Sequence, residues 1–229
     1  MDSRGHKILE VEFPVDGMLR SRKVVTRSRA RATGKYPSWK MGRMIQWESQ
    51  NELNAFRLLD ATPAVHAFHE QPLALKYLLN GEVRRHYPDV LVEWGSSREL
   101  WEIKTTAEAA QPEFAERTRV LEALLPELGF SYKLVVAEEL AKQPRLNNVL
   151  LLLKYGRPPV DAMDREKLRL VLVETGGVAW HSALDGSLGQ SGRELLARLT
   201  LEGELVADLN KPIGPATRFE KAQVGGAAA

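Results

Sequence analysis

The chain passes between stretches of helical and of strand-like periodicity. Over residues 45–59 (IQWESQNELNAFRLL), Ile45, Phe56 and Leu59 recur at helical spacing, which predicts a helix ending before Asp60-Ala61-Thr62-Pro63. On that wheel Glu48 lies near the line of Ala55 and Leu59, on or beside the buried stripe, and a first-turn carboxylate favoured by the helix dipole is its plain explanation. Residues 64–79 alternate apolar and polar side chains and end on Asn80-Gly81, a hairpin signal, so residues 83–94 read as the returning strand. Gly95-Ser96-Ser97 makes a second turn, and residues 99–105 form a third strand. Residues 112–128 predict a helix with Pro112 near its start and Gly129 at its end. Residues 132–137 are apolar almost throughout, as in a strand covered on both faces. Three meandering strands, a crossover helix and one more strand predict an α/β class, a mixed β-sheet flanked by helices.

Beyond Gln143-Pro144 the pattern turns helical: residues 146–155, a break at 156–159, then 164–174 with Asp161 or Asp164 as cap. Residues 178–184 and 193–201 read as two short helices, and 204–209 with 216–220 as a hairpin. Helices followed by a β-hairpin are the order expected of a winged-helix module. The resulting division is a basic N-terminal arm (1–44), a core (45–143), a linker or helix (144–160), a winged-helix-like C-terminal domain (161–221) and a tail (222–229).

Composition changes this picture in one respect. The 229 residues, 44% hydrophobic and 27% charged, are ordinary for a globular chain of one or two domains. The net charge of +2, however, hides a block from Gly17 to Trp47 that lacks Asp and Glu and carries nine basic residues, Arg27, Arg29, Arg31, Lys35, Lys40 and Arg43 among them. Such a block suits phosphate neutralisation, with a solvated tail as the alternative. There are no cysteines, which excludes disulfides, thiolate metal sites and cysteine nucleophiles. The N-terminus lacks a signal-peptide run, and the longest apolar run, residues 149–153, is far below the ~20 residues of a membrane span. A cytoplasmic protein without membrane contact is the expectation.

The stretch YPDVLVEWGSSRELWEIK (87–104) carries the candidate chemistry. Strand alternation puts Asp89 on one face with Leu91, and Glu102 and Lys104 on one face with Leu100. If the Gly95 turn pairs the two strands, Asp89 falls near Lys104 and diagonal to Glu102. Two carboxylates and an ammonium beneath a covering helix are costly to desolvate unless a cation or a reaction compensates them. Phosphodiester hydrolysis needs this set: Asp89, Glu102 and the Ile103 main-chain carbonyl as ligands for Mg²⁺, Lys104 to orient water or offset developing charge, and Glu48 to hold a second metal or act as base. The bland alternative is a surface ion-pair ladder.

The order Glu48, Pro88-Asp89, Glu102-Ile103-Lys104 resembles the PD-(D/E)xK nucleases with a restriction-endonuclease-like core. More closely, GKYPSWKMGRMIQWES (34–49), Gln71-Pro72, YLLNGEVRRHYPDVLVEW (77–94) and LWEIK (100–104) are similar to TnsA, the endonuclease subunit of heteromeric transposases. The similarity spans roughly residues 20–140. It implies that Glu48, Asp89 and Lys104 are catalytic, that Glu102 holds the variable acidic position beside the metals, and that Gln71 is near the site. It further implies 5′-end cleavage of a transposon on double-stranded DNA with Mg²⁺, two ions in all and Mn²⁺ able to substitute. The implied partners are a DDE-type transposase subunit and, through the C-terminal domain, an AAA+ ATPase regulator. Rival readings are a stand-alone repair or defence nuclease and a catalytically inactive DNA-binding accessory protein.

His66, His69, His86 and His181 form no convincing metal pattern and read as structural; Trp39, Trp47, Trp94, Trp101 and Trp180 read as packing residues. The winged-helix segment reads as a protein-binding module, because Ala179 to Leu201 holds only Arg193 and Arg198 as basic residues.

Overall fold

A computed structural model describes residues 5–15, 20–21 and 32–223. The chain divides into two units, residues 1–59 with 65–141 and residues 60–64 with 142–229.

The first unit begins with β1 (Lys7–Glu12), β2 (Gly34–Ser38), β3 (Arg43–Trp47) and α1 (Gln50–Ala61). Next come β4 (Val65–Glu70), β5 (Ala74–Leu79), β6 (Glu82–His86), β7 (Val90–Trp94) and β8 (Ser97–Lys104). It closes with α2 (Thr106–Ala109), α3 (Pro112–Leu124), β9 (Ser131–Val136) and α4 (Ala137–Leu140). Strands therefore stand at β1, β2 and β3, where charge alone suggests an arm: β1 pairs antiparallel with β5, and β2 with β3. The central sheet has the order β4-β7-β8-β9, with β8 and β9 parallel and joined through α3. A second sheet has the order β1-β5-β6.

Two expected strands are each broken in two. Residues 64–79 split at Gln71-Pro72 into β4 and β5, and residues 83–94 split at Tyr87-Pro88 into β6 and β7. A proline has no N–H to donate to a ladder and restricts the residue before it, so each Pro becomes a corner where the chain changes sheets. The Asn80-Gly81 hairpin forms as expected, both residues at positive φ (52° and 80°), the geometry of a type I′ turn. The β7–β8 turn is two residues, Gly95-Ser96, because Trp94 pairs with Ser97.

Phe68 pairs directly with Val92, and Leu91 with Leu100, so the two pairs lie on opposite faces of the central sheet. α1 covers the first face through Phe56, stacked on Phe68 at 5.9 Å. α3 covers the other, where Val120, Leu121 and Leu124 join Leu100, Tyr132 and the β5 side chains Leu75, Tyr77 and Leu79 in one cluster.

The second unit holds α5 (Arg145–Gly156), α6 (Ala162–Thr175), β10 (Gly177–Ala179), α7 (Gly192–Glu202), β11 (Leu205–Val206) and β12 (Arg218–Lys221). Asp161 caps α6, its side chain accepting from the Met163 amide. The segment 178–184 differs from the expected helix: it gives β10 and a single 3₁₀ turn over Trp180–Ala183. β10, β12 and β11 form an antiparallel sheet in that order.

Candidate active site

The two proline corners meet. The Gln71 amide donates to the Asp89 carbonyl at 2.9 Å, and the Asp89 amide donates to the Trp101 carbonyl at 2.9 Å. Asp89 thus occupies the bend before β7. The β7–β8 register, Val90 opposite Trp101, extends to place Asp89 opposite Glu102, two residues from the expected partner Lys104. Its Oδ2 accepts from the Ile103 amide at 2.7 Å. The three residues 89, 102 and 104 share one face, as the alternation requires.

Glu102 is 4% exposed. Its Oε1 accepts from Lys104 Nζ at 2.9 Å and from an Arg117 NH group at 2.8 Å. Its Oε2 is buried and accepts no hydrogen bond among the described residues. The His86 ring stands 3.4 Å from that oxygen, but burial, with Arg117 and Lys104 nearby, lowers the His86 pKa to about 3. The ring is therefore neutral near pH 7 and the contact is not an ion pair. His86 Nε2 instead meets the Tyr132 hydroxyl at 3.0 Å, in keeping with a structural role.

Glu48 and its surroundings depart from the helical expectation. β3 ends at Trp47 and α1 begins at Gln50, so Glu48 stands in the bend between them. Its amide donates to Glu52 Oε2 at 2.8 Å, and its own Oε1 accepts from Gln71 Nε2 at 2.6 Å. Gln71 is 8% exposed, and its φ of 44° is unusual for a residue other than glycine. Its carbonyl accepts from both the amide and the hydroxyl of Ser21. Gln71 consequently ties Glu48, Asp89 and the segment before residue 22 together.

Glu52, one turn after Glu48, is the residue that sequence reasoning missed. Both positions suit a first-turn acid, and periodicity alone does not separate them. Burial raises the Glu52 pKa against hydrogen bonds from the Glu48 amide and Ser49, and it is coupled electrostatically to Lys104. Asp89 is pushed well above the ordinary carboxylate range, first by burial and then by Glu102 and Glu52, with Lys104 and the Ile103 amide opposing. Burial works against the Lys104 ammonium, yet Glu102 and Asp89 outweigh it and hold its pKa above the ordinary value. Glu48, Glu52, Asp89, Glu102, Ile103 and Lys104 all line one cleft of about 380 Å³.

Among the described residues no three His, Asp or Glu side chains are drawn together as a finished metal cluster. The donor set nevertheless fits a hard divalent cation. Burial, and after it the neighbouring carboxylates, make Asp89 resist ionising, and one buried Glu102 oxygen has no hydrogen-bond donor among the described residues.

Of the expected DNA-binding residues, Lys35 is exposed. Lys40 donates to the Leu59 and Val65 carbonyls, at 3.1 and 2.6 Å. Arg43 forks onto buried Glu70 at 3.0 and 2.7 Å, so both serve the fold. Arg27, Arg29 and Arg31 lie outside the described residues.

No curated protein matches the chain. Residues 62–137 match the family model described as TnsA-like endonuclease N terminal, a stretch that spans both proline corners, Asp89, Glu102, Lys104 and Arg117. The stretch that builds the acidic cleft at those corners is thus similar to the N-terminal domain of TnsA-like endonucleases.

Proposed function

We propose that this protein is a divalent-metal-dependent DNA endonuclease subunit of a heteromeric transposase, cleaving phosphodiesters at the 5′ ends of a transposon. The observation that carries the reading is the convergence of Glu52, Asp89 and Glu102 with Lys104 in one cleft of the TnsA-like domain. Asp89, Glu102, Glu52 or Glu48, and the Ile103 carbonyl would hold Mg²⁺, one ion or two, and the bound metal would supply Lewis-acid chemistry toward the phosphate and the attacking water. Lys104, cationic and fixed by Glu102, orients water or offsets charge on the phosphate oxygens. Gln71 steadies the Glu48 carboxylate. The corners make the geometry rigid: Asp89 is held through its amide, its carbonyl and its side chain at once.

Double-stranded DNA is the substrate in this reading, and Arg27, Arg29, Arg31 and Lys35 supply phosphate contacts from the basic block, with Lys40 and Arg43 stabilising its surroundings. A DDE-type transposase is the proposed partner, and the protein works in the cytoplasm.

What supports the winged-helix-like reading in the second unit is that α6 and α7 precede the antiparallel pair β11 and β12, with β10 and a 3₁₀ turn in place of the expected short helix. The two α7 arginines are engaged internally. Arg198 binds Glu202 and the Gly156 and Arg157 carbonyls, and Arg193 lies over the Tyr155 ring at 4.9 Å. That leaves little to contact phosphate and favours a protein partner, the AAA+ regulator.

The test is Mg²⁺-dependent nicking of transposon-end DNA, with and without the candidate transposase. Asp89→Ala should abolish nicking and leave DNA binding nearly intact; unchanged nicking overturns the site. Vigorous cutting without any partner favours the stand-alone nuclease.

A further inference from the structure

Arg117 belongs to none of the motifs that mark the cleft, yet it makes the 2.8 Å contact to buried Glu102 from α3. A carboxylate this deep needs compensating charge. Lys104 supplies part of it, on the same oxygen, but is also drawn electrostatically to Asp89. The Arg117 guanidinium is held from behind by the Phe114 ring, 4.8 Å away and one turn earlier on the helix. It is a permanent charge carried on a regular element. The other oxygen of Glu102 has no donor among the described residues.

We propose that Arg117 is the built-in counter-cation of the site: it neutralises Glu102 in the metal-free protein and competes with a divalent cation for that carboxylate. The inference rests on the metal-dependent reading above. Its physical basis is a balance of two effects. A fixed positive charge beside the carboxylates disfavours a further cation by Coulomb repulsion. Holding Oε1 in place helps a cation, but Lys104 already holds the same atom, so losing Arg117 costs little orientation. The repulsion therefore dominates. Arg117 keeps the cleft folded before metal arrives and makes metal binding weak enough to be reversible.

The experiment is calorimetric titration of the full chain with MgCl₂ in the absence of DNA, alongside melting temperatures with and without the ion. Arg117→Gln should bind Mg²⁺ roughly tenfold more tightly than the parent. Its metal-free melting temperature should fall by about 3 °C or more and recover as Mg²⁺ is added. Arg117→Lys, which keeps the charge, should stay within about twofold of the parent affinity. In a Glu102→Gln background, Arg117→Gln should raise Mg²⁺ affinity by clearly less than in the parent, since the carboxylate for which the two cations compete is gone. Equal or weaker Mg²⁺ binding by Arg117→Gln, with the parent binding normally, overturns the counter-cation role and leaves the metal site standing. Absence of Mg²⁺ binding in the parent overturns both.

Discussion

Glu48 and Glu52 illustrate how much can turn on one helical turn. Both are acidic, both line the cleft, and each is bonded to the other through the Glu48 amide. Glu52 acts electrostatically on Asp89 and is itself acted on by Glu48 and Lys104. Glu52→Gln is expected to lower Mg²⁺-dependent nicking by at least about 100-fold, the scale of losing an acid–base or metal-binding group. Glu48→Gln should have a smaller effect, because Gln71 already occupies one of its oxygens; initial-rate measurements on transposon-end DNA distinguish the two. Asp89, Glu102 and Lys104 were legible in the sequence because strand alternation fixes which residues share a face. Arg117 was not, since its partner lies fifteen residues away across a helix–sheet contact.

Among the elements, the two X-Pro corners matter most. Gln71-Pro72 and Tyr87-Pro88 turn what periodicity reads as two long strands into four, and the corner they share positions Asp89. Periodicity cannot show this, because the alternation continues with little interruption across each corner. In the second unit, a β-carbon on Gly156 of α5 would come within 2.9 Å of the Ala197 backbone and 2.7 Å of Leu201 Cδ1 in α7. Gly156→Ala should therefore destabilise that unit by roughly 1–3 kcal/mol, readable by chemical denaturation. Glu202, at the end of α7, accepts from Arg165 at 2.7 Å and Arg198 at 2.5 Å. Burial opposes its ionisation, but the two arginines outweigh it and lower the pKa from 4.5. Stability from this depressed group is present above pH 4.5 and is lost as pH falls through the lower folded value. Glu202→Gln should flatten that acid-side loss, by about 1 kcal/mol or less, in melting temperatures recorded below pH 5.

For the whole molecule, the basic block divides by what holds each residue. Arg20 is 3.7 Å from Glu70, and Ser21 is bonded to Gln71, so these two residues are tied to β4 and the Gln71 corner. β1 is part of a sheet, which makes deletion of residues 1–33 a poor probe because it would remove a strand as well as charge. Replacing Arg27, Arg29 and Arg31 by Ala tests the charge alone. DNA affinity should fall and its salt dependence should flatten by roughly 2–3 units of log–log slope. An unchanged slope in binding titrations would mean these residues do not meet phosphate.

The sequence by itself determined the α/β class, most helices of the second unit, the β7–β8 hairpin and the shared face of Asp89, Glu102 and Lys104, because these depend on local periodicity and turn chemistry. Tertiary structure alone decided that Glu52 reaches the cleft, that Gln71 holds Glu48 to Asp89, and that Arg117 compensates Glu102. Those outcomes depend on contacts between elements and on the desolvation that brings them about. Neither has a period that a linear pattern can display.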